Sequence, residues 1–339
     1  MQNARRRSAI LAGSLGVIVV VALFLVAVVS PARAQTVSLD ELLSAVVHIK
    51  TSINPDGRSV ENLGRSRDGT GIVIDNDGLI LTIGYLMVEA ESAEVVTGDG
   101  RAVPANVVGY DHESGFGLLR AMAPLKVHPI ALGHSADLKE QDSVVIVGHG
   151  GRGRVARAQV VSRRAFAGSW EYLLDDAIFT WPPYPEWSGA ALIDRSGKLV
   201  GVGSLVLNDA SGHGDGPGNM FVPIDRLTPI LADLIADGHA SGPGRPWLGV
   251  ITQELGGRLV VAAVAPDGPA AKAGIKHGDI IESIGSDAPK DMEDFYRKIY
   301  AQGAAGVTVP LDVRRADESR HFDVKSMNRL DHLRLKSTY

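Results

Sequence analysis

The chain has 339 residues, room for about two domains at roughly 150 each, and its 45% apolar and 22% charged residues exclude a disordered or fibrous protein. The net charge is −5, and beyond residue 34 there are 30 basic against 39 acidic groups, −9, which argues against nucleic acid as a partner. Cysteine is absent, so a disulfide framework, a thiol nucleophile and a thiolate metal site are all excluded.

At the start, Arg5, Arg6 and Arg7 precede an uncharged apolar run over 9–29 that ends in Ser30-Pro31-Ala32-Arg33-Ala34-Gln35. A basic start, apolar middle and Ala-x-Ala end describe a signal peptide over 1–34, cut after Ala34. The run would also span ~30 Å of hydrocarbon as an anchor if left uncut. Both readings export the body, most simply to a bacterial periplasm, and only the uncut one adds the inner membrane as a partner.

Short apolar runs then follow at 45–49, 71–74, 79–82, 92–96, 103–108, 117–119, 143–147, 192–193 and 199–207. Asn76-Asp77-Gly78 and Asp99-Gly100 are turn signals between them, so the spacing predicts an antiparallel barrel or sandwich. Leu227, Ile230, Leu231, Leu234 and Ile235 recur at helical spacing and predict a helix over 225–236 that closes this domain. Ser241-Gly242-Pro243-Gly244 reads as a linker over 241–244.

A second unit over 245–325 follows. Strands are expected near 248–251 and 259–264, then a short helix opened by Pro269 and a turn into a strand at 274–281. Met292, Phe295, Ile299 and Tyr300 share one face of a helix over 291–301, and 307–313 is a last strand. The polar tail, 326–339, is expected to be loose.

Several motifs occur together. They are Gly69-Thr70-Gly71-Ile72-Val73-Ile74-Asp75, Val108-Gly109-Tyr110-Asp111 and Trp187-Ser188-Gly189, followed by Leu192-Ile193-Asp194 and Gly197-Lys198-Leu199-Val200-Gly201. Asn219-Met220-Phe221-Val222-Pro223-Ile224 follows them. In the second unit stand Trp247-Leu248-Gly249-Val250, Pro269-Ala270-Ala271-Lys272-Ala273-Gly274-Ile275 and Gly278-Asp279-Ile280-Ile281. Over about 41–324 the sequence resembles the HtrA/Deg family of exported trypsin-like serine proteases. The resemblance implies a mainly β fold, a chymotrypsin-like double β-barrel over 35–240 followed by a PDZ domain over 245–325. It also makes a homo-oligomer, a trimer in many members, plausible.

Serine peptidase chemistry needs a base, a carboxylate that orients it, and N–H donors aimed at the developing oxyanion. By the resemblance the base should stand at Tyr85, in Thr82-Ile83-Gly84-Tyr85-Leu86, and a phenol is protonated at neutral pH. The orienting carboxylate should stand at Gly115, which has no side chain. Ser188 holds the nucleophile position, and Glu186 replaces the oxyanion-hole glycine, bringing a carboxylate to where negative charge would develop. His112 and His149 could act as substitute bases in a remodelled site, although solvated loop histidines are the plainer account. The expectation is a non-catalytic member, with a serine endopeptidase using Ser188 and a non-standard base as the alternative.

A peptide carboxylate would be received by the backbone N–H groups of Leu248, Gly249 and Val250. The implied partners are therefore peptides or unfolded exported proteins, in envelope quality control or scaffolding. Arg152, Arg154, Arg157, Arg163 and Arg164 read as a solvated strand face, and His213 with Asp215 offer too few ligands, so no metal and no cofactor are expected. Trp170, Trp181 and Trp187, with Tyr184, are expected to cluster around the catalytic region.

Overall fold

The computed structural model describes residues 38–335, so the signal or anchor segment lies outside the described residues. The fold is mostly β. Its first barrel contains β1 (Val46–Ile53), β2 (Ser66–Val73), β3 (Leu79–Ile83), β4 (Ala90–Val96), β5 (Ala102–Tyr110) and β6 (Phe116–Ala121), closed in the order β1-β2-β3-β6-β5-β4. The second has β7 (Ser143–Val147), β8 (Val155–Gly168), β9 (Tyr172–Trp181), β10 (Ala191–Ile193), β11 (Leu199–Leu207) and β12 (Gly218–Pro223), closed as β10-β11-β12-β9-β8-β7. Neighbouring strands run antiparallel throughout, and closure removes exposed edges. The runs read from the sequence all fall within these strands or their ends.

Two strands of the second barrel carry no clear alternating signal. In β8 the pattern is broken by Arg157, Arg163 and Arg164, yet it pairs with β9 from Gln159 to Gly168 to form a long hairpin. Two of these arginines have partners outside the strand, so they do not form the solvated face expected of them. Arg163 donates to the carbonyls of Ser135 and Leu138, and Arg164 lies 3.8 Å over the Phe179 ring. The expected helix over 225–236 is split into a tight turn at Ile224–Arg226 and a helix at Leu231–Asp237. Pro229 accounts for the break, because the residue before a proline is disfavoured in the helical region.

The second unit is a five-stranded sheet in chain order, β13 (Val250–Leu255), β14 (Arg258–Val264), β15 (Ile280–Ile284), β16 (Thr308–Arg315) and β17 (Glu318–Lys325). One helix, α1 (Pro269–Ala273), begins with proline at its first turn, as read. The other, α2 (Met292–Ala301), is capped by the Asp291 side chain on Asp294 N–H and buries Phe295, Tyr296 and Ile299. Their side chains pack with Leu248, Val250, Val261, Leu311 and Val313.

As far as residue 335 the tail is packed, where a loose segment was expected. Its short helix (Arg329–His332) is followed by Leu333 and Leu335, which with Leu330 pack against the barrel core. Arg334 N–H donates to Glu89 (2.6 Å), whose buried carboxylate also accepts from Arg58 and Ser59 N–H (2.9 and 2.7 Å).

Candidate active site and carboxylate-binding loop

β3 is buried on both faces and ends in the Gly84–Leu86 turn, which presents Tyr85 to the cleft between the barrels. The buried Arg67 guanidinium fixes this turn, donating to the carbonyls of Tyr85 (2.8 Å) and Val88 (3.2 Å). Opposite, Thr70 N–H donates to the Ser188 carbonyl (2.8 Å) and Gly189 N–H to Gly203 (2.9 Å). These bonds bring Tyr85 Oη to 2.6 Å from Ser188 Oγ.

The direction of that hydrogen bond follows from its neighbour. Tyr85 Oη is also 2.9 Å from the Ser204 carbonyl, which can only accept. The single phenolic proton is committed there, so Ser188 donates its proton to the phenol oxygen. Burial, the main cause, pushes the phenol up to about 12. At pH 7 the tyrosinate that could take a proton is therefore present at about one part in 10⁵.

Gly115 sits at φ +83°. Its carbonyl accepts Gly84 N–H (2.7 Å), and its own N–H donates to Asp111. A side chain there would be strained and would meet Tyr172 Oη at 3.4 Å. Glu186 pairs with Arg154, and its other carboxylate oxygen is buried with no hydrogen-bond partner among the described residues.

The two histidines considered as substitute bases hydrogen-bond elsewhere. His149 Nδ1 lies 3.0 Å from Thr70 Oγ1, and its ring stacks on His48 at 4.0 Å. His112 Nε2 lies 3.0 Å from the Arg329 guanidinium and 3.3 Å from the Glu171 carbonyl, and its Nδ1 lies 3.0 Å from Tyr110 Oη. Burial, reinforced by the Arg329 charge, holds His112 well below the usual histidine range. Neither ring makes a hydrogen bond to Ser188.

The aromatic cluster differs from expectation. Trp187 flanks Ser188, and Tyr184 Oη donates to the Arg154 carbonyl (3.0 Å), while Trp181 is 53% exposed. Trp170 stands instead at the β8–β9 tip, stacked on Tyr172 at 5.8 Å and near Phe166. The hairpin holds it there against the barrel core, apart from Ser188.

At that unit, Gly249 (φ +82°) makes the tight loop in which Leu248, Gly249 and Val250 turn their N–H groups one way. They converge on a carboxylate of the chain itself. Glu171, between β8 and β9, accepts from Leu248 at Oε2 (2.8 Å) and from Gly249 and Val250 at Oε1 (2.6 and 2.7 Å). Sequence reasoning passed over Glu171, a lone acid in a short connection with no motif around it. The missed Ser204 acts through its backbone and leaves no signature in residue type.

The buried phenols give a pH prediction. Desolvation raises Tyr85, Tyr110 and Tyr300 to about 12, and Tyr172, Tyr184 and Tyr296 are raised as well. Unfolded phenols ionise near ~10, so the fold binds more protons above that pH and stability falls as pH rises from ~10 toward 12. Absorbance at 295 nm should show these phenolates appearing only together with unfolding. Ionisation of more than one of the seven tyrosines near pH 10 in the folded protein would contradict their burial, Tyr339 lying outside the described residues.

The comparisons agree with this architecture. A trypsin-like peptidase domain family matches residues 69–202 and a PDZ domain family matches 246–326. A probable periplasmic serine endoprotease DegP-like from Brucella suis is 29% identical over 76% of this chain and 52% of its own length. The protein of that name from Bartonella henselae is 30% identical over 80% and 56%. The chain thus spans about half the length of the curated relatives it matches. The solved HtrA-type protease AlgW with decapeptide, at 22% identity, covers 88% of this chain and 99% of its own with a TM-score of 0.51, a likeness of fold. The chain thus carries a trypsin-like peptidase domain followed by a PDZ domain, and it is similar in sequence to DegP-like serine endoproteases and in fold to an HtrA-type protease.

Proposed function

We propose that this is an exported HtrA-type protein without peptidase activity, which binds peptides or unfolded proteins through its PDZ unit. One observation carries the inactive reading: Ser188 donates to a phenol whose own proton is fixed on the Ser204 carbonyl. A nucleophile needs an acceptor that gains strength as its proton leaves, and a neutral phenol oxygen is not one. Removing the base of a triad typically costs ~10⁴–10⁶ in rate, and further losses add little because the group acts as a unit. Gly115 and the Glu186–Arg154 pair point the same way.

The naming of relatives as periplasmic endoproteases supports a periplasmic setting, and the HtrA-type protease AlgW solved with a decapeptide supports peptides as the partner class. Backbone N–H capture of a chain end needs no catalytic group, so that role is independent of Ser188. The competing reading, an active serine endopeptidase, is favoured by the same names and by the presence of Ser188. A fluorophosphonate probe separates the two. The wild-type protein should label no faster than Ser188→Ala and should leave casein intact; Ser188-dependent labelling with casein cleavage would establish the endopeptidase.

A further inference from the structure

The carboxylate-binding loop already holds a carboxylate. Glu171 is 4% exposed, at φ +58°, and engages all three loop amides with both oxygens. Its surroundings extend the likeness to a bound chain end. Thr252 N–H, on β13, donates to the Ser169 carbonyl at 3.0 Å, the bond an added strand would make. From the facing helix α2, Tyr296 Oη donates to the Gly168 carbonyl (2.7 Å) and accepts from Glu171 N–H (3.2 Å). Leu173, 3% exposed, is buried in the apolar cluster with Leu248, Val250, Phe295 and Ile299. Arg329 holds the segment from behind through the Trp170 carbonyl (2.8 Å).

A backbone in the left-handed region is uphill for glutamate, so the three N–H bonds must hold it there. We propose that residues 168–173 occupy the PDZ groove in cis, with Glu171 as the surrogate carboxylate, and that a partner's free C-terminus enters only by displacing it. This rests on the peptide-binding reading given above. The partner class is then a chain end with a free carboxylate, since an amide or internal segment offers nothing to replace Glu171. Displacement also frees the β8–β9 hairpin, which belongs to the barrel carrying Ser188. Ligand binding and the contact between the units are one equilibrium.

Two measurements on the full chain test this. Hydrogen exchange over 247–251 should be at least about tenfold faster in Glu171→Ala than in wild type, with β16 and β17 unchanged as the folding control. Glu171→Gln, which keeps the size and one acceptor, should lie between. Immobilised protein is then challenged with a fluorescein-labelled pool of random heptapeptides bearing free C-termini. Glu171→Ala should retain about 10–100-fold more than wild type, the factor by which a sparsely open groove lowers apparent affinity, and the amidated pool should be retained by neither. Unchanged exchange, or equal retention by the two proteins, overturns the proposal. Faster exchange with no retention by either also overturns it, but through failure of the peptide-binding reading rather than of the Glu171 contact.

Discussion

Replacing Tyr85 by histidine is expected to raise Ser188-dependent fluorophosphonate labelling by about 10² over wild type and still leave it about 10⁴ short of a complete triad. The gain comes from giving Ser188 an acceptor with a suitable proton affinity in place of a phenol held near 12. The shortfall comes from Gly115, because an imidazole without an orienting carboxylate populates the wrong tautomer and rotamer. Adding Gly115→Asp should not close the gap. Its backbone is at φ +83°, and a Cβ there approaches Tyr172 Oη. Tyr85→Phe is the control: it frees the serine hydroxyl without supplying a base, so labelling should stay at the wild-type level. A rate in Tyr85→Phe equal to that of Tyr85→His would mean that steric release, not proton transfer, limits this site.

Replacing Gly189 by alanine is expected to cost about 3–5 kcal/mol of stability, read as a lower urea midpoint with an unchanged slope. The residue is at φ +75°, and a Cβ would lie 2.0 Å from the Thr70 carbonyl oxygen and 2.8 Å from Thr82 Oγ1. The Thr70 carbonyl cannot yield easily, because it accepts the Thr82 hydroxyl while Thr70 N–H bonds Ser188. Ser188→Ala, one residue away, should cost only about 0.5–1.5 kcal/mol for the lost hydroxyl bond to Tyr85. The contrast assigns the Ser-Gly pair a backbone role at the barrel junction that does not depend on catalysis. Equal costs for the two variants would refute that assignment.

The double barrel and the following sheet were legible because closed antiparallel strands buried on at least one face leave apolar runs with turn residues between them. β3 and β11 are plain examples. β8 was not legible, since it holds arginines whose partners are carbonyls distant in sequence and the Phe179 ring of the neighbouring strand. At the cleft, the absences at 85 and 115 could be read from residue type. The direction of the Tyr85–Ser188 bond could not, because it is set by a carbonyl at Ser204, which any residue would have supplied. The second site was legible on one side only. Leu248-Gly249-Val250 has a recognisable wording, whereas Glu171 lies 77 residues earlier and its role exists only once the two units touch.

The hairpin that seats Glu171 also decides what an excised second unit would report. Cut free at the linker, the sheet and its helices lose Glu171, Leu173 and the Ser169 carbonyl together, and their receptor loop stands vacant. Titrations on such a fragment would measure a permanently unlatched receptor, tighter toward chain ends than the intact molecule. The difference between fragment and whole is then a direct readout of how strongly the molecule grips itself.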